Sequence, residues 1–177
     1  MELFEAIERR HSYRGAYHDS PVPESDIRRI AQAGIQAPSG YNSQDTTFVI
    51  VDDRDLIAKI AAILGNTPVF RTAPLLIACI VEKEPQAPEG RMVFPIENCA
   101  AAVENMLLAA TALGYASLWY DGSLRREGRN QAIGQLLGLQ EGLVVQVLLP
   151  VGVPLESKAQ AAKKSFSQRA WYNRHGT

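Results

Sequence analysis

Glu97 to Gly114 reads E-N-C-A-A-A-V-E-N-M-L-L-A-A-T-A-L-G, and between Cys99 and Leu113 only Glu104, Asn105 and Thr111 are polar. A helix of this composition has almost no face suited to water, so it belongs at the centre of the molecule with the other elements built around it. Gly114 suits the left-handed end of such a helix. The run is too short for a bilayer core, which needs about 20 apolar residues, so the expected reading is a buried helix in a globular protein. Ala100, Ala101, Ala102, Ala109, Ala110 and Ala112 carry little side chain, and another helix or a second subunit can pack closely against them. Glu104 needs a partner or a wet crevice, because an unpaired buried charge is costly.

The flanking chain divides at its prolines and glycines. Leu3, Phe4 and Ile7 share one stripe at helical spacing, and this first helix runs into the basic cluster Arg9-Arg10-His11-Ser12-Tyr13-Arg14. After Pro21 and Pro23, Glu24 and Asp26 load the first turn of a second helix whose buried face is Ile27, Ile30, Ala31 and Ile35. It stops near Ala37-Pro38. The loop Pro38-Ser39-Gly40-Tyr41-Asn42-Ser43-Gln44 is rich in turn formers, and the β-branched T-T-F-V-I-V-D after it predicts a strand. Asp53 to Leu64 reads as a third helix, and Pro74 to Val81 as a strand covered on both faces. Glu82 to Pro95 is a surface loop, either a lid or partner contact or a passive connection. Beyond the central helix, Y-A-S-L-W-Y predicts a strand, Asp121-Gly122 a turn, Arg125 to Leu137 a polar helix and Leu143 to Val151 the last strand.

This order predicts a mixed α/β or α+β layer in one domain, residues 1–177, with helices enclosing a short sheet. The core looks complete at Val151. The tail from Glu156 interleaves Phe166, Trp171 and Tyr172 with Lys158, Lys163, Lys164, Arg169 and Arg174, a composition suited to packing across a second subunit.

A hydrophobic content of 46% with 21% charged residues fits an ordinary globular domain, and a formal net charge of -1 gives no global field for holding nucleic acid. The opening M-E-L-F-E-A-I-E-R-R reads as an amphipathic helix rather than a leader, so the expected compartment is the cytoplasm, with no membrane partner. Cys79 and Cys99 read as small buried side chains, and His11, His18 and His175 are too scattered for a metal site. Trp119 and Trp171 read as packing and interface anchors.

No G-x-G-x-x-G follows a strand, and neither a G-x-x-x-x-G-K-[ST] loop nor a G-x-S-x-G elbow is present. Arg10, His11, Ser12 and Arg14 can grip a phosphate through charge-assisted hydrogen bonds, but arginines at a helix end also serve as a solvated face that completes the helix dipole. Ser39, Gly40 and Asn42 can likewise be a plain helix-to-strand turn, and Asp121 the first residue of an Asp-Gly turn.

Taken in order, R-R-H-S-Y-R-G, A-P-S-G-Y-N-S-Q, A-A-V-E-N-M-L-L-A-A-T-A-L-G-Y, S-L-W-Y-D-G, L-L-P-V-G-V-P and R-A-W-Y-N-R-H-G span nearly the whole chain. In this combination the chain resembles the nitroreductase family of flavoproteins, particularly its short members with Q-x-T-T where others have Q-P-W. The resemblance implies an α+β fold of three layers, α/β/α, with a mixed central sheet surrounded by helices and a C-terminal tail extending over a dimer partner. It implies a homodimer with FMN at the subunit interface and no catalytic side chain.

By the same resemblance Arg10, His11, Ser12 and Arg14 hold the phosphate and ribityl end, joined by Lys163 or Lys164. Pro38, Ser39, Gly40 and Asn42 of the other subunit line the ring with Gln44 close by, and Tyr120, Asp121 and Gly122 pass along its face. The implied activity takes a hydride from NADH or NADPH and reduces a nitroaromatic, a quinone or a flavin by a ping-pong mechanism. Reductive dehalogenation or flavin cleavage on the same fold, or a flavin-binding dimer without turnover, are the alternatives. Asp45 and Thr46 replace the Pro-Trp pair, so the acceptor does not follow from the resemblance.

Overall fold

Strand β2 (Leu75–Glu82) divides the interior in two, because successive side chains point to opposite faces of a sheet. Leu76, Ala78 and Ile80 join one core cluster, and Leu75, Ile77, Cys79 and Val81 join the other. The computed structural model describes residues 1–87 and 89–176; Pro88, within the 82–95 loop, and Thr177, the end of the tail, lie outside the described residues. β2 is flanked by β1 (Thr47–Val51) and β4 (Leu143–Gly152), and the short β3 (Ala116–Ser117) closes the order β1-β2-β4-β3. All three ladders are antiparallel. The expected mixed sheet is thus antiparallel in its strands, and a parallel pairing enters as an isolated bridge that Ser12 makes to Ser117 at the β3 edge.

The register of β2 with β4 passes from Cys79 opposite Val147 to Ile80 opposite Val145, leaving Gln146 as an extra residue. This bulge turns β4 over, so that Val144 faces the same core as Val147 although three residues separate them. One face is covered by α2 (Glu24–Ile35) and the central α5 (Pro95–Ala112). The other is covered by α3 (Arg54–Ile63), the single-turn α4 (Pro68–Arg71) and α6 (Arg129–Leu136). These are the three α/β/α layers of an α+β fold. Asp53 caps α3 by accepting a hydrogen bond from Leu56 N–H at 2.7 Å.

Three boundaries differ from the sequence reading. The predicted strand Y-A-S-L-W-Y pairs as a ladder only at Ala116 and Ser117 and returns to the sheet as an isolated bridge at Tyr120. The predicted helix from Arg125 begins at Arg129, because Glu127 and Gly128 take positive φ and form a turn first. The α4 turn, with Pro68 at its start, was not predicted. Cys79 and Cys99 are free and buried, and among the described residues no helix is long and apolar enough to cross a membrane.

Candidate functional site

Two clusters of the expected site residues flank the amphipathic α1 (Leu3–Arg9) and the start of α5. At the first, α1 ends at Arg10 and the chain straightens so that Ser12 reaches Ser117. Tyr13 is completely buried and anchors this segment with its hydroxyl, which donates to the Ala16 carbonyl at 2.6 Å. Arg10 lies 3.6 Å from Glu104 of α5, so the acidic residue of the apolar helix has both a partner and, at 49% exposure, access to water. Arg14 is exposed and, among the described residues, donates only to the Ser12 carbonyl, at 3.4 Å, which leaves most of its guanidinium donors facing solvent.

His11 turns away from this group. Its Nδ1 is 3.0 Å from the Arg9 carbonyl, its ring meets Tyr13 edge-on, and its Nε2 is buried with no hydrogen-bond partner among the described residues. It lines an open cleft of about 500 Å³ under residues 154–160, which Arg10, Ser12 and Arg14 do not line. Gln160 fixes the tail there by donating to the Arg10 carbonyl at 2.6 Å. Lys158 lines the same cleft as His11, with its Nζ 5.9 Å over the Tyr13 ring and 3.7 Å from Glu156. Lys163 and Lys164 lie farther along on the exposed tail, and no hydrogen bond or ion pair among the described residues links them to Arg10 or Arg14.

The second cluster is the loop after α2. Tyr41, Asn42 and Gln44 have φ of 54°, 56° and 51°, a conformation that costs side-chain-bearing residues energy and is retained only when the surroundings hold it. Asn98, on the second turn of α5 and only 6% exposed, supplies the hold. Its Oδ1 accepts from Gly40 N–H at 2.8 Å, and its Nδ2 donates to Ser43 Oγ and Asp45 Oδ1, both at 3.0 Å. Ser39 Oγ accepts from Gln44 N–H at 3.1 Å. Gly40 must lack a side chain, since a Cβ there would overlap the Phe94 ring. Pro38, Ser39 and Gln44 border a crevice of about 70 Å³ between this loop and α5.

Tyr120 is fixed by exchanging backbone hydrogen bonds with Leu148 and by an edge-on contact of 4.7 Å with Phe70. Asp121 pairs with Arg125 at 2.8 Å, and Gly122 faces open space on its Cβ side. The sequence reading missed Asn98 and Lys158. Asn98 was legible as a lone amide at the head of an apolar helix, whereas the place of Lys158 depends on the path of an irregular tail.

Similarity to known proteins covers the same stretch. Residues 7–68 and 63–153 match the Nitroreductase family. A protein of Archaeoglobus fulgidus with the provisional name NADH dehydrogenase/NAD(P)H nitroreductase is 34% identical over 157 residues, 89% of this chain and 88% of that one. An FMN reductase of Bacillus subtilis that uses NAD(P)H is 29% identical over 117 residues, 65% of this chain and 46% of that one. The crystal structure of a Parabacteroides distasonis protein, with the same provisional name as the first, gives a TM-score of 0.83 at 25% identity over 97% of this chain and 98% of that chain.

Proposed function

This chain belongs to the nitroreductase family, and on that premise we propose that it is an FMN-dependent oxidoreductase, taking a hydride from NADH or NADPH and reducing a small conjugated acceptor. The observation that carries this reading is a half-free basic edge at Arg10, Ser12 and Arg14 beside the Ser117 strand edge, in a chain with a strained, pinned loop at 39–44. The residues fit the cofactor. Free guanidinium donors suit a phosphate, and Gly122, open on its Cβ side, lets a planar ring come close to the backbone.

FMN supplies the redox chemistry when bound, accepting a hydride and passing electrons on. The chain's own residues bind and orient. Arg10, held toward the site by Glu104, Ser12 and Arg14 take the phosphate and ribityl end, with Lys158 as the tail cation in reach from the same protomer and Lys163 or Lys164 as candidates from the tail beyond. Tyr120, Asp121 and Gly122 border one edge of the ring. Pro38, Ser39, Gly40, Asn42 and Gln44 of a second protomer border the other, so the active unit is a homodimer. His11, turned onto Tyr13, supports the segment from behind rather than touching the cofactor. The donor being a metabolic nucleotide, the compartment is the cytoplasm.

Because one slot over the ring serves both donor and acceptor, they bind in turn. Initial-rate lines for NADH at several menadione concentrations are expected to run parallel, and intersecting lines would overturn the single shared slot.

A further inference from the structure

The left-handed Tyr41 holds its ring at the surface, 62% exposed, where it gains little from burial. Strain kept for an exposed aromatic points to a role outside the core. Beside it the 91–94 segment encloses a cavity of about 100 Å³, with Tyr41 and Phe94 as ring walls 6.2 Å apart and Met92 as an exposed, adaptable rim. Arg91 places its guanidinium 5.3 Å over the Tyr41 ring. No carboxylate lies within ion-pair distance of it among the described residues. Asp45, the acid that also lines the cavity, has its oxygens engaged by Asn98 and Ser43.

A whole drug-sized ligand needs roughly 300 Å³ or more, so this cavity takes one end of a molecule whose other end lies outside. A planar guanidinium pre-oriented on an aromatic face matches a carboxylate attached to an aromatic ring, through a forked hydrogen bond and stacking. The cavity adjoins the loop that borders the ring in the flavin reading, on which this step rests. We propose that Arg91, Tyr41 and Phe94 form an acceptor subsite selecting aromatic acceptors that carry a carboxylate.

The test pairs 4-nitrobenzoate with its neutral counterpart 4-nitrobenzamide, in the wild-type holoenzyme and in Arg91→Gln and Arg91→Lys. The wild type should prefer the acid, and the ratio of kcat/KM for acid over amide should fall about tenfold or more in Arg91→Gln. Arg91→Lys, which keeps the charge but not the fork, should lie between them. A wild type without preference, or a ratio unmoved by Arg91→Gln, overturns the subsite. FMN content measured on each protein reads the flavin assignment separately. Calorimetric binding of the two compounds needs no turnover; equal affinities for wild type and Arg91→Gln overturn the subsite even where the flavin reading stands.

Discussion

Asn98 does more for the candidate site than any residue singled out in the sequence. One amide holds Gly40 and Asp45 from a buried position, so replacing it with an isosteric apolar group leaves the Gly40 N–H without its partner and Asp45 held by Ser43 and water. Asn98→Leu is expected to cost about 1–3 kcal/mol of stability by urea denaturation and to loosen the 39–44 loop, lowering FMN retention; a variant as stable as its parent would contradict the pinning role. Residue types mark Arg10, His11, Ser12 and Arg14 as a polar, basic cluster after the first helix, and Glu104 as a group in need of a partner. That these two needs meet, Arg10 on Glu104, is a tertiary fact that spacing does not show. His11 reads in sequence as one of four polar candidates between Arg10 and Arg14, but only the bridge from Ser12 to Ser117 decides which way each side chain points.

At the scale of elements, the long periodic pieces were readable and the short ones were not. The apolar run from Pro74 became β2 and the alanine-rich run became α5, because burial on all sides leaves an unmistakable composition. β3 shrank to two residues and α4 escaped notice, since neither is long enough to show a period. The bulge falls at Gln146, the polar residue of an otherwise apolar strand; a single polar residue does not reveal a change of register, yet the bulge decides which face of the sheet each β4 side chain meets. The junction of α2 with the end of α5 is tied by the Tyr115 hydroxyl, which donates to Asp26 at 2.8 Å. Burial, and then the hydrogen bond and charge of Asp26, push this phenol up to about 12 from an ordinary value near 10. The unfolded chain therefore releases the proton first. The bond's contribution is fully present below pH 10 and is lost as pH rises from 10 to 12. Tyr17, also pushed up by burial, loses stability over the same range in every variant. Tyr115→Phe should accordingly show a shallower fall in stability across pH 10 to 12 than its parent, and an identical fall would detach Tyr115 from it.

At the scale of the molecule, one protomer leaves apolar groups in water that a second would cover. Phe4 is 77% exposed on α1, and Phe166 and Tyr172 are 67% and 80% exposed on the tail. Along α5 the less buried positions Glu97, Ala101, Glu104, Leu108 and Ala112 fall on one side, where Ala101 and Ala112 leave room for close approach. Gln160 ties the tail to the Ile7 and Arg10 carbonyls, and beyond it Phe166 and Tyr172 present exposed rings that a partner would cover. A chain ended after Gln160 is expected to shift from dimer to monomer by light scattering at micromolar concentration and to lose FMN; a dimer of undiminished affinity would assign the tail elsewhere. The fold was legible in the order and type of the residues, whereas the pinning of the 39–44 loop by Asn98 depends on tertiary contacts that spacing does not show.

If this chain holds FMN and NADH or NADPH reduces it, the bound flavin itself reports both events. The visible absorption spectrum of the purified protein is recorded before and after anaerobic NADH addition, and again with NADPH. Oxidised-flavin bands, about one FMN per chain, are expected to bleach with at least one of the two donors. A protein that cannot be reconstituted with FMN, or whose bound FMN neither donor bleaches, would overturn the flavin reductase assignment.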